Sequence, residues 1–542
     1  MTDTSPVDDL RARLRELGYL SHGLERWFAL DPWSSRTFWQ ELLAVAAKAA
    51  TVVAPFVALP MMAVMILRNH PLPVREAAVL TAGYLLVAFV GVVVLMAVTA
   101  LALKLRPSAV VERPRLLTGI ALALAAVVAA AIAGWWGGFA DAAEPFEAVA
   151  VSALALLLVA VSTVVFSAAL LSFSIHETRR IPAVARGSRA LPIVLTGAAM
   201  ILVLLAATRA GEAAPVVERP NQIATVPRDA RVAFLAVDGL TGDLYAAHEE
   251  LSAAFSRAAA LSFPDAASAA ERWASVGTGT ARERHRVRAI EGLRIAGSER
   301  ILQAVSRFDP FGSGLALGAG LARRQALPAA VRERDYVWEI LASRGIPVAA
   351  VNWWVGGSGA TEVSQREIFG AVSATAPARS ALEIDRAAGA AALRALAGEP
   401  RFVTVYLPAL DIVLNRLEVA DARRVALAVE AVDALAALVR ELRAAGFEIL
   451  LVGAPGEDRG GPGIAATTLP LDLGGAVAMD LAPTLLDLFG FPASREMPGE
   501  SLVPESRQGR IASFGSRTVE GEGGVAPDEE YYEALRSLGY VQ

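Results

Sequence analysis

The amino-acid sequence predicts an N-terminal all-α transmembrane bundle of about five helices, followed by a C-terminal α/β domain. Hydrophobic residues make up 55% of the 542 residues and charged residues only 19%, which is too apolar for an ordinary soluble protein of this size. The apolar excess lies almost wholly before residue 210. After it, short apolar runs alternate with helical stretches, which is typical of a mainly parallel sheet with helices on both faces.

The transmembrane bundle is predicted from five apolar runs, at 41–67, 76–103, 115–139, 147–175 and 190–207. Four of them are longer than the roughly 20 residues that cross a bilayer, and the last is just long enough. We therefore expect a transmembrane domain over 41–207. The segment 1–40 before it is polar and contains several arginines, so it is not a cleavable signal peptide.

The orientation follows from the loops between the runs. The loops at 104–115 and 176–189 are rich in Lys and Arg, whereas the loop at 140–147 holds three acidic residues and no basic one. Basic loops remain on the cytoplasmic side. We therefore expect a multi-pass protein of the inner (cytoplasmic) membrane, with a cytoplasmic N-terminal segment 1–40. The C-terminal domain would lie outside the membrane, in the periplasm of a Gram-negative cell.

The amino-acid composition excludes several classes of function and partner. The net charge of -5 predicts no nucleic-acid partner, and the absence of cysteine excludes disulfides, thiolate metal sites and a cysteine nucleophile. The interiors of the second to fifth runs hold no Asp, Glu, Lys, Arg or His, so transport is not expected. The expected partners are the lipid bilayer and, outside it, a protein or a lipid or phosphoester ligand.

The C-terminal domain follows a polar, proline-containing linker at 208–230 and is expected to fold as a unit of its own. Asp238 directly follows one predicted strand, and Asp411 lies shortly after another. Functional groups in such sheets collect beyond the carboxyl ends of the strands. The predicted strands are 231–237, 347–352, 401–407 and 447–453, and the predicted helices are 266–277, 334–344, 418–445 and 479–489.

Five segments occur in an order that resembles the alkaline phosphatase superfamily, in particular its type I phosphodiesterase/nucleotide pyrophosphatase branch and its sulfatase-like members. The resemblance covers most of 231–504 and leaves 505–542 as a C-terminal tail. It implies an alkaline-phosphatase-like fold. The segments are RVAFLAVDGL (231–240), WASVGTGTARERH (273–285), YVWEILASRGIPVAAVNWW (336–354), YLPALDIVLNRL (406–417) and MDLAPTLLDLFGFPASREMPGESL (479–502).

The resemblance also implies an active site with two metal ions, usually zinc, and a Thr or Ser nucleophile. Asp238 matches the first metal ligand. The nucleophile position falls on Ala269, so Ser268 could serve only if the register shifts by one residue. Asp411 matches a second ligand, but Asn415 stands where the family has a histidine.

The remaining metal ligands are missing. The family's Ser-Asp-His-Gly motif is replaced by Gly453-Ala454-Pro455-Gly456, and no histidine follows His285. We therefore predict a pseudoenzyme in which Asp238, Asp411 and Asn415 are the remnant of a metal site, with no cofactor. The alternative is an active metal-dependent phosphoester hydrolase or phospho-group transferase. It would hold Zn, Mn, Mg or Ca in a rebuilt site to which Glu457 and Asp458 could contribute.

Two further expectations concern side chains outside the implied site. His248 and His285 are expected on the surface. Trp353 and Trp354 are expected to serve packing rather than ligand stacking.

Overall fold

The computed structural model describes the chain with gaps. Besides a few isolated positions, the described residues are 38–68, 74–104, 114–137, 145–179, 228–263, 268–289, 291–296, 301–302, 315–326, 331–353, 361–370, 376–456, 462–504 and 509–517. Most of the predicted linker, most of the tail, Trp354, Glu457 and Asp458 lie outside them. The chain divides into two units. The first comprises Met1–Ala214 and Leu293–Arg323, and the second comprises Pro215–Gly292 and Arg324–Gln542.

Long apolar helices build the first unit. Within the described residues, four helices have apolar stretches of 22 to 29 residues, long enough to cross a membrane. The fifth predicted run, 190–207, lies almost wholly outside the described residues, so the structure supports a membrane protein with four candidate spans. The helices are α1 (Phe38–Arg68), α2 (Val74–Lys104), α3 (Pro114–Gly137) and α4 (Pro145–Arg179).

Helix α1 is the central helix of this unit. It packs against each of the other three helices. In its most apolar window 83% is buried, against 22–33% for the corresponding windows of α2, α3 and α4. The outer helices therefore direct most of their apolar surface away from the protein, as expected for helices solvated by lipid.

A second segment, Leu293–Arg323, belongs to this first unit although it lies within the predicted C-terminal domain. It overlaps a three-stranded sheet of order β4-β3-β5, formed by β3 (Glu291–Ile295), β4 (Ile301–Leu302) and β5 (Ala322–Ala326). A short helix, α9 (Leu315–Gly318), precedes β5. The apolar cluster of the long helices includes four buried side chains of this segment: Leu293, Ile295, Leu302 and Ala322.

Strands and helices alternate through the second unit. The strands are β1 (Val232–Asp238), β2 (Arg257–Leu261), β6 (Val348–Val351), β7 (Thr361–Val363), β8 (Phe402–Leu407), β9 (Glu448–Ala454), β10 (Gly463–Thr467), β11 (Ala493–Ser494) and β12 (Arg510–Ile511). The helices are α5 (Gly242–Ala247), α6 (Glu249–Ala253), α7 (Ala269–Thr278), α8 (Arg282–His285), α10 (Val337–Ser343), α11 (Gln365–Gly370), α12 (Pro377–Ala395), α13 (Ala409–Asp411), α14 (Asp421–Ala444) and α15 (Leu481–Leu488).

Seven of these strands form one mixed sheet of order β2-β10-β9-β1-β8-β6-β7. The pairs from β9 to β7 are parallel, whereas β10 is antiparallel to both β9 and β2. The α/β character predicted from the sequence is therefore present, but the sheet is mixed. Strands β1 and β8 are buried along their whole lengths, and β9 along all but its first residue, which explains why they read as continuous apolar runs.

The register places the carboxyl ends of the central strands side by side. Val237 pairs with Leu407 of β8, and Asp238 pairs with Ala454 of β9. Helix α12 packs on β8 and β6, and α14 packs on β9. The segments that follow β1, β8 and β9 therefore meet at one edge of the sheet, where the predicted site residues lie.

Candidate functional site

Asp238 is the last residue of β1 and is fully buried. The chain turns directly after it at Gly239, whose φ of 85° favours glycine. A Cβ at this glycine would lie 2.5 Å from the backbone nitrogen of Asp411. The turn after β1 and the helix after β8 are thus in direct backbone contact, and this contact brings the two aspartates into one cluster.

Asp411 ends the short helix α13 and is 1% exposed. The next residues, Ile412–Arg416, form a π-helical turn that closes with a bond from the Leu417 N–H to the Ile412 carbonyl. A π turn brings residues five apart onto one face, and such turns are frequent at functional sites. Both Asn415, four residues on, and Arg416, five residues on, therefore reach back to Asp411.

The Asp411 carboxylate accepts two short hydrogen bonds from this turn. Asn415 Nδ2 donates to Oδ1 over 2.7 Å, and Arg416 Nε donates to Oδ2 over 2.6 Å. The Arg416 side chain is 5% exposed, so the ion pair is buried. Hydrogen bonds between ionised groups are the stronger class, and this arrangement engages both oxygens of the carboxylate.

Asp238 has a matching arrangement built from other elements. Arg272, from helix α7, donates from Nη1 to Oδ1 over 3.3 Å, and the Tyr406 hydroxyl of β8 donates to Oδ2 over 3.1 Å. Arg272 also donates from Nη2 to the carbonyl of Gly456, 3.2 Å away. The guanidinium therefore ties α7 to the end of β1 and to the loop after β9.

Gly456 closes the cluster from the third strand. It has φ of 95°, and a Cβ there would lie 2.3 Å from Asn415 Nδ2 and 2.6 Å from Asp411 Oδ1. This glycine is the last residue of the tetrapeptide Gly453-Ala454-Pro455-Gly456. It packs directly on the side chains of Asp411 and Asn415.

The charges of the cluster nearly balance. Burial, and after it the neighbouring Asp411 carboxylate, raise the pKa of the Asp238 carboxyl, which is about 7 in the folded protein. The guanidinium groups of Arg272 and Arg416 and the Tyr406 hydroxyl lower this pKa but do not outweigh burial. Near neutral pH the cluster thus holds two guanidinium cations against two carboxyl groups, one of which is partly protonated.

Ser268 lies at the N-cap of α7 and has a structural role there. Its hydroxyl accepts a hydrogen bond from the Glu271 N–H over 3.1 Å and donates to the Arg288 carbonyl over 3.2 Å. Capping satisfies a helix N–H that has no partner inside the helix. The neighbouring Ala269 is buried within the first turn. The shift of register that would make Ser268 a nucleophile has no support in these contacts.

The prediction that His285 lies on the surface is wrong, because it is fully buried beside Ser275. Its Nε2 lies 2.9 Å from the Ser275 hydroxyl, a spacing that resembles a nucleophile and its base. However, Nδ1 accepts the Val287 N–H over 3.1 Å, so in the neutral ring Nε2 carries the proton. Burial and three nearby arginines lower the pKa of His285 to about 3. Nε2 therefore donates to the serine and does not activate it.

His248 and Trp353 have structural environments. His248 caps helix α6 through Nδ1, and its Nε2 lies 2.9 Å from Asp433 Oδ1. Trp353 is 3% exposed, and its Nε1 donates to the Thr404 hydroxyl over 2.9 Å. It packs in an aromatic cluster with Trp273 and Tyr406. Trp353 therefore serves packing, as predicted.

The residues present do not fit the two zinc ions that the resemblance implies. Zinc sites in proteins use deprotonated carboxylates, imidazoles or thiolates. Here Asp411 is engaged by Asn415 and Arg416, and Asp238 is partly protonated and bonded to Arg272. Across the described parts of the chain, no group of three or more His, Cys, Asp or Glu residues is placed to hold a metal ion.

Arg272, Arg416 and Tyr406 are the members of the cluster that sequence reasoning missed. Arg416 directly follows Asn415 in the segment 406–417, so a π turn there would have indicated it. Arg272 lies in the first turn of α7, three residues after the implied nucleophile position, but no spacing in the sequence links it to Asp238. Neither a protein-family model nor a curated protein sequence matches this chain.

Proposed function

We propose that this chain is a membrane-anchored, catalytically degenerate member of the alkaline phosphatase superfamily that acts by binding a partner or ligand outside the membrane. One observation carries the proposal: each aspartate at the implied metal positions is bonded to an arginine, Asp238 to Arg272 and Asp411 to Arg416. A fixed guanidinium supplies the positive charge that a metal ion would supply, but it offers no open coordination position for a nucleophile.

The loss of a nucleophile supports the same reading. Ser268 is held as a helix cap, and the Ser275 hydroxyl faces a protonated His285 nitrogen. Neither serine is then placed to form the covalent intermediate of the family's route. What remains is a buried, nearly neutral cluster that joins three strand ends. Such a cluster has a structural role, and a partner or ligand would be recognised at the surface of the second unit.

A turnover assay on the full-length protein in detergent tests this proposal. We expect no hydrolysis of aryl phosphomonoesters, phosphodiesters or sulfates above background, with or without added Zn²⁺, Mn²⁺ or Ca²⁺. Asp238→Ala, Asp411→Ala and Ser268→Ala should leave the background rate unchanged. Turnover that disappears in both aspartate variants would overturn the proposal and favour an active hydrolase or transferase with a rebuilt site. Turnover lost only in Ser268→Ala would show a shifted nucleophile.

The orientation is part of the proposal. The alternation of loops rich and poor in Lys and Arg supports a cytoplasmic N-terminus, and five spans would then place the second unit outside the inner membrane. A phosphatase or fluorescent reporter fused after Gln542 tests it. A reporter that works only outside the cytoplasm should be active when it is fused after Gln542. Activity of a reporter that works only in the cytoplasm would place the second unit on the inner side.

A further inference from the structure

A cavity of about 290 Å³ lies in the second unit between helices α12 and α14 and the ends of strands β1 and β8. Most of its wall is apolar. At about 30 Å³ per water-sized group, it accommodates roughly ten non-hydrogen atoms. The apolar lining includes Val237, Leu393, Leu407, Leu410, Leu435 and Leu438.

One buried polar side chain, Asp385 of α12, lines this cavity. It is 9% exposed, and its Oδ1 accepts the Ala409 N–H over 3.1 Å. No ion pair of this carboxyl occurs within the described residues, and the neighbouring Arg386 bonds to Glu430 instead. Burial raises the pKa of Asp385 well above its ordinary value, with no nearby charge among the causes. A buried carboxyl without a cation is neutral and carries an O–H donor.

Charged groups also line the cavity, but they differ from Asp385 in exposure. The Arg386 side chain is 47% exposed, and Glu441 is exposed. An occupant would therefore meet an apolar interior with one neutral donor. Small-molecule sites have this character, with mostly apolar walls and few placed polar groups.

We propose that this cavity binds a small neutral lipid-like molecule: an apolar chain of about ten non-hydrogen atoms that carries one carbonyl or ester oxygen. The oxygen accepts a hydrogen bond from the Asp385 O–H, and the chain covers the leucine wall. The occupant would lie against Val237, next to Asp238, and against Leu410, next to Asp411. Ala409, to which Asp385 is bonded, begins the helix that ends at Asp411. The bound molecule would therefore contact the residue that precedes each aspartate of the cluster.

The chain contains no cysteine, so a single introduced thiol gives a specific probe of occupancy. Ala434→Cys places the thiol in the cavity wall, whereas Ala426→Cys places it on an exposed position of the same helix. In the full-length protein, 2-decanone should slow labelling of A434C by a maleimide and leave A426C unchanged. Decane should need an about tenfold higher concentration to give the same protection, because it has no oxygen to accept the hydrogen bond from Asp385.

The second variant tests the role of the carboxyl. In A434C with Asp385→Leu, the tenfold preference for 2-decanone over decane should disappear, and thermal melting shows whether the variant is folded. Three results would overturn the proposal. The first is equal labelling of A434C with and without 2-decanone, and the second is equal protection by the two probes when Asp385 is present. The third is stronger protection by decylamine, which would show an ionised carboxylate and a cationic ligand.

Discussion

Each aspartate of the cluster is paired with one buried arginine, Asp238 with Arg272 and Asp411 with Arg416. Asp411 is nearly inaccessible, and Arg416 and Asn415 donate to both of its oxygens. Asp238 is fully buried and bonded to Arg272 and Tyr406. Removing one member of a buried ion pair costs more than removing both, because the remaining charge has no partner.

A double-mutant cycle on Asp411 and Arg416 follows from this pairing. Arg416→Met should lower the free energy of unfolding by about 3–5 kcal/mol, since it leaves a buried carboxylate without its cation. Asp411→Asn with Arg416→Met should cost clearly less than the sum of the two single changes. Urea unfolding of the full-length protein, followed by tryptophan fluorescence, measures each value. Strict additivity would show that the two side chains do not interact.

The pKa values of two buried groups, Asp238 and His285, predict opposite dependences of stability on pH. The pKa of Asp238 is about 7 in the folded protein, above its unfolded value of about 3.9, so its contribution to stability is full below about pH 4. That contribution is lost as the pH rises through 7. The pKa of His285 is about 3 when folded, below an unfolded value near 6.5. Its contribution is present above pH 6.5 and is lost as the pH falls.

Melting temperatures across pH 4–8 separate the two groups. The difference between native protein and Asp238→Asn should fall as the pH rises from 4 to 7. The difference between native protein and His285→Gln should rise between pH 4 and 6.5. Each variant serves as the control for the other. Parallel slopes for the two variants would contradict the assignment of the two pKa values.

At the scale of elements, the central strands were predictable and the edge strands were not. The sequence predicts strands at 231–237 and 401–407, and the structure has them at Val232–Asp238 and Phe402–Leu407. These strands are fully buried and therefore form continuous apolar runs. The edge strand β2 and its neighbour β10 read RAAAL and GIAAT, with few β-branched residues, so tertiary pairing rather than propensity places them. Helix α12 was not predicted either, because its buried face consists largely of alanines rather than of large apolar side chains.

The cluster itself was predictable only in part. The two aspartates follow strands, so their meeting at one sheet edge follows from parallel pairing. The partners Arg272 and Arg416 depend on where α7 lies and on a π turn, and neither is encoded in a local pattern. Asp385 was missed for the same reason, because its burial arises from helices α12 and α14 packing together.

The close contact between the turn after β1, at Gly239, and helix α13 can be tested by substitution. A Cβ at Gly239 would lie 2.5 Å from the Asp411 backbone nitrogen, and φ there is 85°. Gly239→Ala should therefore lower the melting temperature by several degrees, corresponding to about 1–3 kcal/mol. Gly242→Ala is the matched control, since nothing lies within 4 Å of its Cβ position. Equal melting temperatures for the two variants would contradict the close contact.

At the scale of the whole molecule, the division into units does not follow the predicted linker alone. The segment Leu293–Arg323 groups with the long helices, and its buried Leu293, Ile295 and Leu302 join their apolar cluster. The ends of the segment lie close together, because Arg324 Nη1 is 3.1 Å from Glu291 Oε1. A short linker can therefore replace the segment.

This predicts how the second unit behaves when it is expressed alone. Residues 215–542 should aggregate because the buried side chains of Leu293, Ile295, Leu302 and Ala322 lose their partners. The same piece with 293–323 replaced by a short Gly/Ser linker should be soluble and should melt cooperatively. Size-exclusion chromatography compares the two. A monodisperse 215–542 that retains the segment would show that it needs no contact with the long helices.

The central proposal, that arginines are bonded to the two aspartates in place of metal ions, is tested most directly by metal analysis. The full-length protein is purified without chelator and its zinc, manganese, magnesium and calcium contents are measured beside Asp238→Asn and Asp411→Asn variants. The account predicts far less than stoichiometric metal in all three proteins, with no difference between them. Stoichiometric metal in the native protein that is lost from both variants would contradict it and establish a rebuilt metal site.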